Sequence, residues 1–259
     1  MNDVKDWVTE LVSIMARLRA PGGCSWDQKQ NHTTLKPYLL EESCEAIDAI
    51  DENNMDLLQE ELGDVLMNLV FHAQLASEND QFTFQDVART ISEKMVRRHP
   101  HVFDKTCELT AEEVEEQWER IKREEKAERT SVLDGIPKSL PSLMRAGKLQ
   151  KKAAKVGFDW PDKQGPIEKV EEEFQELKEA LNSGIQNDID DEFGDLLFSM
   201  VNLGRHISVD ADHALSMANR KFISRFQSVE KICSLRNLTM SEMSLDELDA
   251  IWDEVKRGV

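Results

Sequence analysis

Apolar residues recur at intervals of three and four positions over long stretches of this chain. One such stretch runs from Leu58 to Val70, and a second runs from Leu196 to Leu203. This spacing places the apolar side chains on one face of an α-helix. No run of alternating β-branched residues, the pattern typical of a half-buried strand, is found. The pattern therefore predicts an all-α fold.

Few residues interrupt these helices, since the 259 residues include only 11 Gly and 7 Pro. Breaks are predicted at Pro21-Gly22-Gly23, at Pro100, and in the segment from Gly135 to Pro166. Thr110-Ala-Glu-Glu113 predicts a capping box at the start of a charged helix between the last two breaks. We therefore expect an N-terminal domain at 1–103, a helical connector at 104–155 and a C-terminal domain at 156–259.

Two segments of the chain repeat at a fixed separation. Glu61-Leu-Gly-Asp-Val-Leu-Met-Asn-Leu-Val70 aligns with Glu192-Phe-Gly-Asp-Leu-Leu-Phe-Ser-Met-Val201 at an offset of 131 residues, and five of the ten positions are identical. The same offset carries Glu41-Glu42-Ser-Cys-Glu45 onto Glu172-Glu173-Phe-Gln-Glu176. Two separate segments in register at one offset indicate an internal duplication.

The repeated acidic residues have the spacing of neighbours on a helix. Residues three or four apart share a helix face, and a short turn between the two acidic segments of each copy predicts an antiparallel hairpin. Four converging carboxylates would repel one another unless a cation bound them, and such oxygen ligands suit Mg²⁺, with Mn²⁺ as an alternative. The candidate metal ligands are Glu42, Glu45, Glu61 and Asp64 in the first copy and Glu173, Glu176, Glu192 and Asp195 in the second.

A glycine interrupts each of these acidic helices. Gly63 and Gly194 lie between the paired acids, where a glycine costs about 1 kcal/mol relative to alanine. Their presence predicts either a close approach of another helix or a nearby ligand.

The charge balance excludes several classes of partner. The chain has 32 basic and 51 acidic residues, a formal net charge of −19. This charge disfavours binding to nucleic acid and to an anionic membrane surface. No apolar run reaches the roughly 20 residues of a membrane span, the acidic N-terminus is unlike a signal peptide, and the four cysteines are scattered. We expect a cytoplasmic protein with reduced thiols.

Several basic and aromatic residues are candidates for substrate binding. The chain contains no GxxxxGK[ST] motif, so any phosphate contacts must come from other residues. Trp252 is a candidate for stacking on a nucleobase, although packing in the core is an open alternative. For each basic residue an ordinary position on a helix surface also stays open. The candidate phosphate-binding residues are Lys94, Arg97, Arg98, Lys169, Lys221 and Arg225.

Together these motifs resemble those of the all-α nucleoside triphosphate pyrophosphohydrolases, and among them the tandem-domain MazG family. The resemblance covers nearly the whole chain. It also includes Cys24-Ser-Trp-Asp27, Arg97-Arg98-His-Pro-His-Val-Phe103, Ile136-Pro-Lys-Ser-Leu-Pro141 and Lys155-Val-Gly-Phe-Asp-Trp160. It implies two four-helix-bundle-like units assembled as a homodimer. The implied reaction is Mg²⁺-dependent hydrolysis of NTP or dNTP to NMP or dNMP and pyrophosphate, by attack of water at the α phosphorus.

The resemblance also implies roles for the candidate residues. The eight acids above would bind Mg²⁺, Glu41 and Glu172 would orient the attacking water, and the basic residues would bind the triphosphate. We expect the second copy to be the stronger site, because Lys221 and Arg225 share one uninterrupted helix whereas the first copy breaks at Pro100. One departure is the segment Asn187–Asp191, which lacks a basic residue that family members can carry there.

Two other functions remain as alternatives. One is a related all-α hydrolase specific for dUTP or phosphoribosyl-ATP, which the duplication and the extent of the resemblance disfavour. The other is a non-catalytic helical interaction module in which the acids serve solubility.

Overall fold

The computed structural model describes residues 6–104, 108–126, 128 and 130–258. Every regular element in these residues is a helix, which confirms the predicted all-α fold. The chain forms two compact units, Met1–Ala127 and Glu128–Val259. None of the described helices is long and apolar enough to cross a membrane.

The first unit is built around an antiparallel pair of helices. Its helices are α1 Trp7–Arg19, α2 Lys36–Asp51, α3 Met55–Ser77, α4 Phe84–Arg98, α5 Pro100–Phe103 and α6 Ala111–Glu124. Asn53 adopts a left-handed φ of 53° in the turn between α2 and α3, and the Asn54 side chain accepts a hydrogen bond from the Leu57 amide at 3.2 Å. This turn brings α2 against α3, while α1 and α4 also pack on α3.

The second unit repeats this arrangement. Its helices are α7 Ser142–Ala154, α8 Gln164–Ser183, α9 Gln186–His206, α10 Ala211–Leu235 and α11 Leu245–Arg257. Gly184, with a φ of 70°, ends α8 and lets the chain turn back into α9. Helices α7 and α10 both pack on α9, and α11 packs on α10.

The cores of the two units are in register at the offset of the repeat. Ala49 and Val70 are buried in the first unit, and Ala180 and Val201 are buried 131 residues later in the second. The α2–α3 pair therefore corresponds to the α8–α9 pair, which confirms the internal duplication.

The unit boundaries differ from the predicted connector at 104–155. The predicted capping box at Thr110 and Glu113 starts α6, with both of its hydrogen bonds formed at 3.3 and 2.8 Å. Helix α6 packs against α4, where the guanidinium of Arg98 lies 4.9 Å from the centre of the Trp118 ring. Helix α7 packs against α9 in the second unit. The segment is divided between the units because each of its helices has a face that packs on a neighbour.

Candidate active site

Three of the four predicted acids of the second copy converge. Glu173 and Glu176 lie one turn apart on α8, and Glu192 lies on the antiparallel helix α9. Each offers a carboxylate oxygen, and these oxygens lie within 4.8 Å of one another. Glu173 is buried, Glu192 is half-buried and Glu176 is exposed. Asp195, one turn further along α9, lines with Glu173 the cavity described below.

The first copy has the same arrangement of acids. Glu42 and Glu45 on α2 and Glu61 on α3 also offer carboxylate oxygens within 4.8 Å of one another. Partial burial raises the pKa of Glu42, and the nearby charge of Asp64 raises it further. Partial burial and the charge of Glu45 likewise raise the pKa of Glu61. The helical spacing thus brings both acid clusters together as predicted.

A lysine compensates part of the negative charge in the second cluster. The Nζ atom of Lys169 lies 2.8 Å from Glu172 Oε1 and 2.5 Å from Glu173 Oε1. Hydrogen bonds to these two carboxylates raise the pKa of Lys169 above its usual range. Even so, partial burial and the charges of Glu173 and Glu192 raise the pKa of Glu176. The cluster therefore retains more negative charge than one lysine neutralises.

The donor set of the second cluster suits a hard divalent cation. Glu173 Oε2 is buried and has no hydrogen-bond partner among the described residues. A buried carboxylate oxygen without a partner is unfavourable, and a bound cation would satisfy it. All the converging ligand atoms are carboxylate oxygens, which Mg²⁺ and Mn²⁺ prefer and a zinc site does not need. The residues therefore fit the predicted metal.

The two glycines in the acidic helices border open space. A Cβ atom added at Gly63 or Gly194 would meet no atom within 4 Å in the described structure. The expected close approach of another helix is therefore wrong as a reason for these glycines. The open space leaves a nearby ligand as the remaining explanation.

A cavity of about 450 Å³ opens beside the second acid cluster. Lys169, Glu173 and Asp195 belong to its lining, which joins it to the cluster. Helices α7, α8 and α9 and the segment between α7 and α8 supply its walls. The walls are mainly apolar, with a few amide and charged groups. The other residues that the following argument uses are Gln150, Phe158, Asp159, Trp160, Phe198, Asn202 and Arg205.

An ion pair ties the segment before α8 to the end of α9. Arg205 binds both carboxylate oxygens of Asp159, through Nη1 at 2.8 Å and through a short contact from Nη2. His206 Nε2 lies 3.0 Å from the same carboxylate. The hydrogen bonds from Arg205, and then that from His206, hold the pKa of Asp159 at about 2. This pair holds one wall of the cavity in place.

The MazG nucleotide pyrophosphohydrolase domain is found twice in the chain, at residues 30–103 and 163–230. The chain belongs to the MazG family. It is 49% identical over 250 residues to the nucleoside triphosphate pyrophosphohydrolase/pyrophosphatase MazG of Thermotoga maritima, covering 96% of this chain and 95% of that protein. It is 45% identical over 255 residues to the nucleoside triphosphate pyrophosphohydrolase of Escherichia coli K12, covering 96% of this chain and 97% of the relative.

A third relative shares only part of its length with this MazG chain. The uncharacterized protein YabN of Bacillus subtilis is 46% identical over 246 residues, which cover 94% of this chain and 50% of that protein. The family match confirms the resemblance stated from the motifs.

The predicted phosphate-binding residues of the second MazG unit lie in two places. Lys169 lies at the acid cluster. Lys221 and Arg225 lie on α10, as the sequence predicts, with Lys221 exposed and Arg225 half-buried. Trp252 on α11 packs on α10, with its ring 5.3 Å from that of Phe222. Only Lys169 of this group belongs to the lining of the described cavity, and the substrate contacts of the other three remain predictions.

The predicted arginines of the first unit share an acidic partner. Arg97 Nε lies 2.6 Å from Glu125 Oε1, and Arg98 Nη2 lies 2.5 Å from Glu125 Oε2. Hydrogen bonds from Arg98 and then Arg97 hold the pKa of Glu125 at about 2. These arginines therefore join the end of α6 to α4. Lys94 lies half-buried on α4, and its contact with phosphate remains a prediction.

The sequence analysis missed the residues that shape the cavity. Phe158, Asp159 and Trp160 belong to a motif that carried the family resemblance, but no chemical role was assigned to them. Asn202 and Arg205 lie one and two turns beyond Ser199 on α9, where no cluster of acids or bases draws attention. The motif Lys155–Trp160 was the one pattern that pointed to this region.

Proposed function

We propose that this MazG protein hydrolyses NTPs and dNTPs to NMPs or dNMPs and pyrophosphate, with Mg²⁺, at the acid cluster of the second unit. The observation that carries the proposal is the junction of an all-oxygen cation site with a cavity large enough for a nucleotide base and sugar. Glu173 and Lys169 belong to both. The family match supports the same reaction.

In the proposed site, Glu173, Glu176, Glu192 and Asp195 hold the metal. Bound Mg²⁺ supplies a Lewis acid that activates water and stabilises charge on the phosphates. Glu172 is exposed beside the cluster and accepts the proton of the attacking water. The water oxygen forms a bond to the α phosphorus, and the bond from that phosphorus to the oxygen bridging the α and β phosphates breaks.

Lys169 has a separate role in this reaction. Its ammonium group already lies within hydrogen-bond distance of Glu172 and Glu173, so it is positioned where the triphosphate must enter. It donates hydrogen bonds to phosphate oxygens and reduces their repulsion from the acids. Lys221 and Arg225 on α10 supply further positive charge to the triphosphate.

The products of hydrolysis test the proposed reaction. Incubation with each NTP and Mg²⁺ is expected to yield NMP and pyrophosphate in equal amounts. NDP and orthophosphate would instead contradict cleavage between the α and β phosphates. Turnover confined to dUTP or phosphoribosyl-ATP would favour a specialised all-α hydrolase. The absence of both turnover and calorimetric Mg²⁺ binding would favour the interaction module.

Mg²⁺ is expected to stabilise the metal-free protein more at about pH 8 than at about pH 5. The pKa values of Glu42, Glu61 and Glu176 are raised in the folded protein, mainly by partial burial. A carboxyl with a raised folded pKa binds protons better in the folded than in the unfolded state, so stability falls as the pH rises through that pKa. A bound cation removes this penalty.

Thermal unfolding with and without saturating Mg²⁺ measures the effect. For a chain of this size we expect a difference of several degrees, because 1 kcal/mol shifts the midpoint by about 2–4 °C. Sodium chloride at equal ionic strength is the control, since it screens charge without entering the cluster. Equal stabilisation by Mg²⁺ at both pH values would contradict metal binding by these carboxylates.

The exposed apolar residues of the α8–α9 pair support the proposed homodimer. Five large side chains of this pair are 43% to 57% exposed, which is unusual for a face that meets only water. A second copy related by a twofold axis would bury the same face on both chains. Sedimentation is expected to give twice the chain mass of 29.7 kDa, and a single-chain mass at micromolar concentration would contradict the dimer. The five residues are Phe174, Leu181, Phe193, Leu197 and Met200.

The proposed location is the cytoplasm. Cys24, Cys44 and Cys233 are free thiols in the structure. Free thiols are typical of proteins in a reducing compartment.

A further inference from the structure

The cavity of the second unit contains two buried amides whose orientations follow from their partners. Gln150 Nε2 donates a hydrogen bond to the Phe198 carbonyl at 2.8 Å, so its Oε1 is an acceptor. That oxygen is buried and has no partner among the described residues. Asn202 Oδ1 accepts hydrogen bonds from Arg205 at 3.1 and 2.8 Å, so its Nδ2 is a donor. Both side chains are only 7% exposed.

The ion pair described above fixes the second of these amides. Asp159 holds the Arg205 guanidinium by both carboxylate oxygens, and Arg205 in turn holds Asn202 Oδ1. Because Arg205 has no acceptor atom, the Asn202 amide cannot reverse without losing both hydrogen bonds. The Asn202 Nδ2 group forms no hydrogen bond within the described structure, and Asn202 lines the cavity. It is therefore available to a ligand.

Aromatic side chains form much of the remaining wall. Phe158 and Trp160 come from the segment before α8, and Phe198 comes from α9. A Cβ atom at Gly165 would lie only 2.0 Å from Trp160 Cδ1, so the absence of a side chain there lets the indole lie against the start of α8. Aromatic faces with one buried acceptor and one oriented donor suit a flat heterocycle, which stacks on the rings and presents hydrogen-bonding edges.

The corresponding position in the first unit is closed. At the offset of 131 residues, Phe71 corresponds to Asn202 and Arg19 corresponds to Gln150. Phe71 is 3% exposed in the core of the first unit, and the Arg19 guanidinium lies 5.4 Å from the centre of its ring. The helical unit therefore folds with an apolar side chain at this register. The two buried amides of the second unit are consequently not a requirement of the fold.

We propose that this cavity is the nucleobase subsite of the second unit, and that Gln150 and Asn202 determine which bases it accepts. The inference rests on the proposed function, because it assigns the base end of the same substrate. Gln150 Oε1 accepts a hydrogen bond from an N–H group of the base, and Asn202 Nδ2 donates one to a ring nitrogen or carbonyl oxygen. Phe158 and Trp160 cover the ring. Asp159 and Arg205 are positioning residues for Asn202.

Base preference measures this inference directly. We compare kcat/KM for ATP, GTP, CTP and UTP in the unchanged protein and in the variants Asn202→Asp and Gln150→Glu. Each variant keeps the side-chain size but changes the hydrogen-bonding groups at one atom. We expect the ratios between the bases to change about tenfold or more, because the lost hydrogen bond involves a buried group. Gln227→Glu, an exposed change of the same type on α10, is expected to leave the ratios unchanged.

A second variant covers the case in which a buried charge prevents folding. Phe158 is 82% exposed, so Phe158→Ala does not open the core. This variant is expected to weaken nucleoside binding about tenfold or more in calorimetry with EDTA, the size typical of a lost base–aromatic contact. The measurement needs no metal and no turnover.

The outcomes separate this inference from the proposed reaction. If NTPs are hydrolysed but the variants lower the rates for all bases by one common factor, the base subsite is wrong and the hydrolase stands. Unchanged nucleoside binding by Phe158→Ala would also overturn the subsite. If no NTP is hydrolysed but nucleosides bind and Phe158→Ala weakens them, the proposed reaction fails and the base-binding cavity stands.

Discussion

Replacing Glu192 by glutamine is expected to lower the rate of NTP hydrolysis about a thousandfold, or about 4 kcal/mol of transition-state stabilisation. Glu192 is the α9 member of the acid cluster, with an oxygen within 4.8 Å of those of Glu173 and Glu176. Glutamine has nearly the same size but no charge, so it weakens the hold on a divalent cation. Initial rates at saturating Mg²⁺ and several NTP concentrations measure the loss.

The matched variant Glu61→Gln is the control, since Glu61 holds the same register in the first unit. We expect its rate to change by less than about threefold, under 1 kcal/mol of barrier. In the first unit Arg98 is bound to Glu125, and Phe71 fills the register that Asn202 holds in the second. Equal losses in both variants would contradict the assignment of catalysis to the second unit.

Replacing Lys169 by methionine is expected to raise KM for NTPs about thirtyfold, as for loss of a charge-assisted hydrogen bond of about 2 kcal/mol. The same change is expected to lower the Mg²⁺ concentration that gives half-maximal rate. The reason is that Lys169 neutralises Glu172 and Glu173, so its removal leaves a more negative cation site. Rates measured over a grid of NTP and Mg²⁺ concentrations separate the two effects.

A lysine on the same helix provides the control for this variant. Lys178 is exposed and lies 4.2 Å from the centre of the Phe174 ring. Lys178→Met is expected to leave both concentrations unchanged. If excess Mg²⁺ restored the KM of Lys169→Met, the lysine would act through the metal and the proposed contact with phosphate would be wrong.

Much of the acid cluster was predictable because helical spacing is a local property of the sequence. Glu173 and Glu176 share a face of α8 by their separation alone, and the turn at Gly184 returns the chain so that Glu192 meets them. The duplication strengthened this inference, since Glu42, Glu45 and their partners repeat the same geometry. One repeating period thus predicted which oxygens converge in both units.

The cavity was not predictable in the same way because its walls come from four separate parts of the chain. Gln150 lies on α7, Trp160 precedes α8, Lys169 lies on α8 and Asn202 lies on α9. No local spacing relates an amide on one helix to an indole beside another. The orientation of Asn202 also depends on Arg205, whose position depends on a carboxylate 46 residues away in sequence.

The boundaries of the predicted connector failed for a related physical reason. The charged composition of residues 104–155 suggested an exposed helix, but composition does not show which face packs on a neighbour. Trp118 gives α6 a contact with Arg98, and Gln150 gives α7 a hydrogen bond to α9. A few side chains in a mainly polar helix are enough to attach it to a bundle.

The exchange of Phe71 for Asn202 shows two solutions to one packing problem. A phenylalanine at this register closes the core and gains dispersion contacts with its neighbours. An asparagine gives up those contacts and leaves a space that costs stability unless something fills it. A chain with a single copy must choose between a firm interior and a vacant one. A duplicated chain keeps both, so the conflict between robustness and ligand binding is resolved by dividing the two tasks between copies.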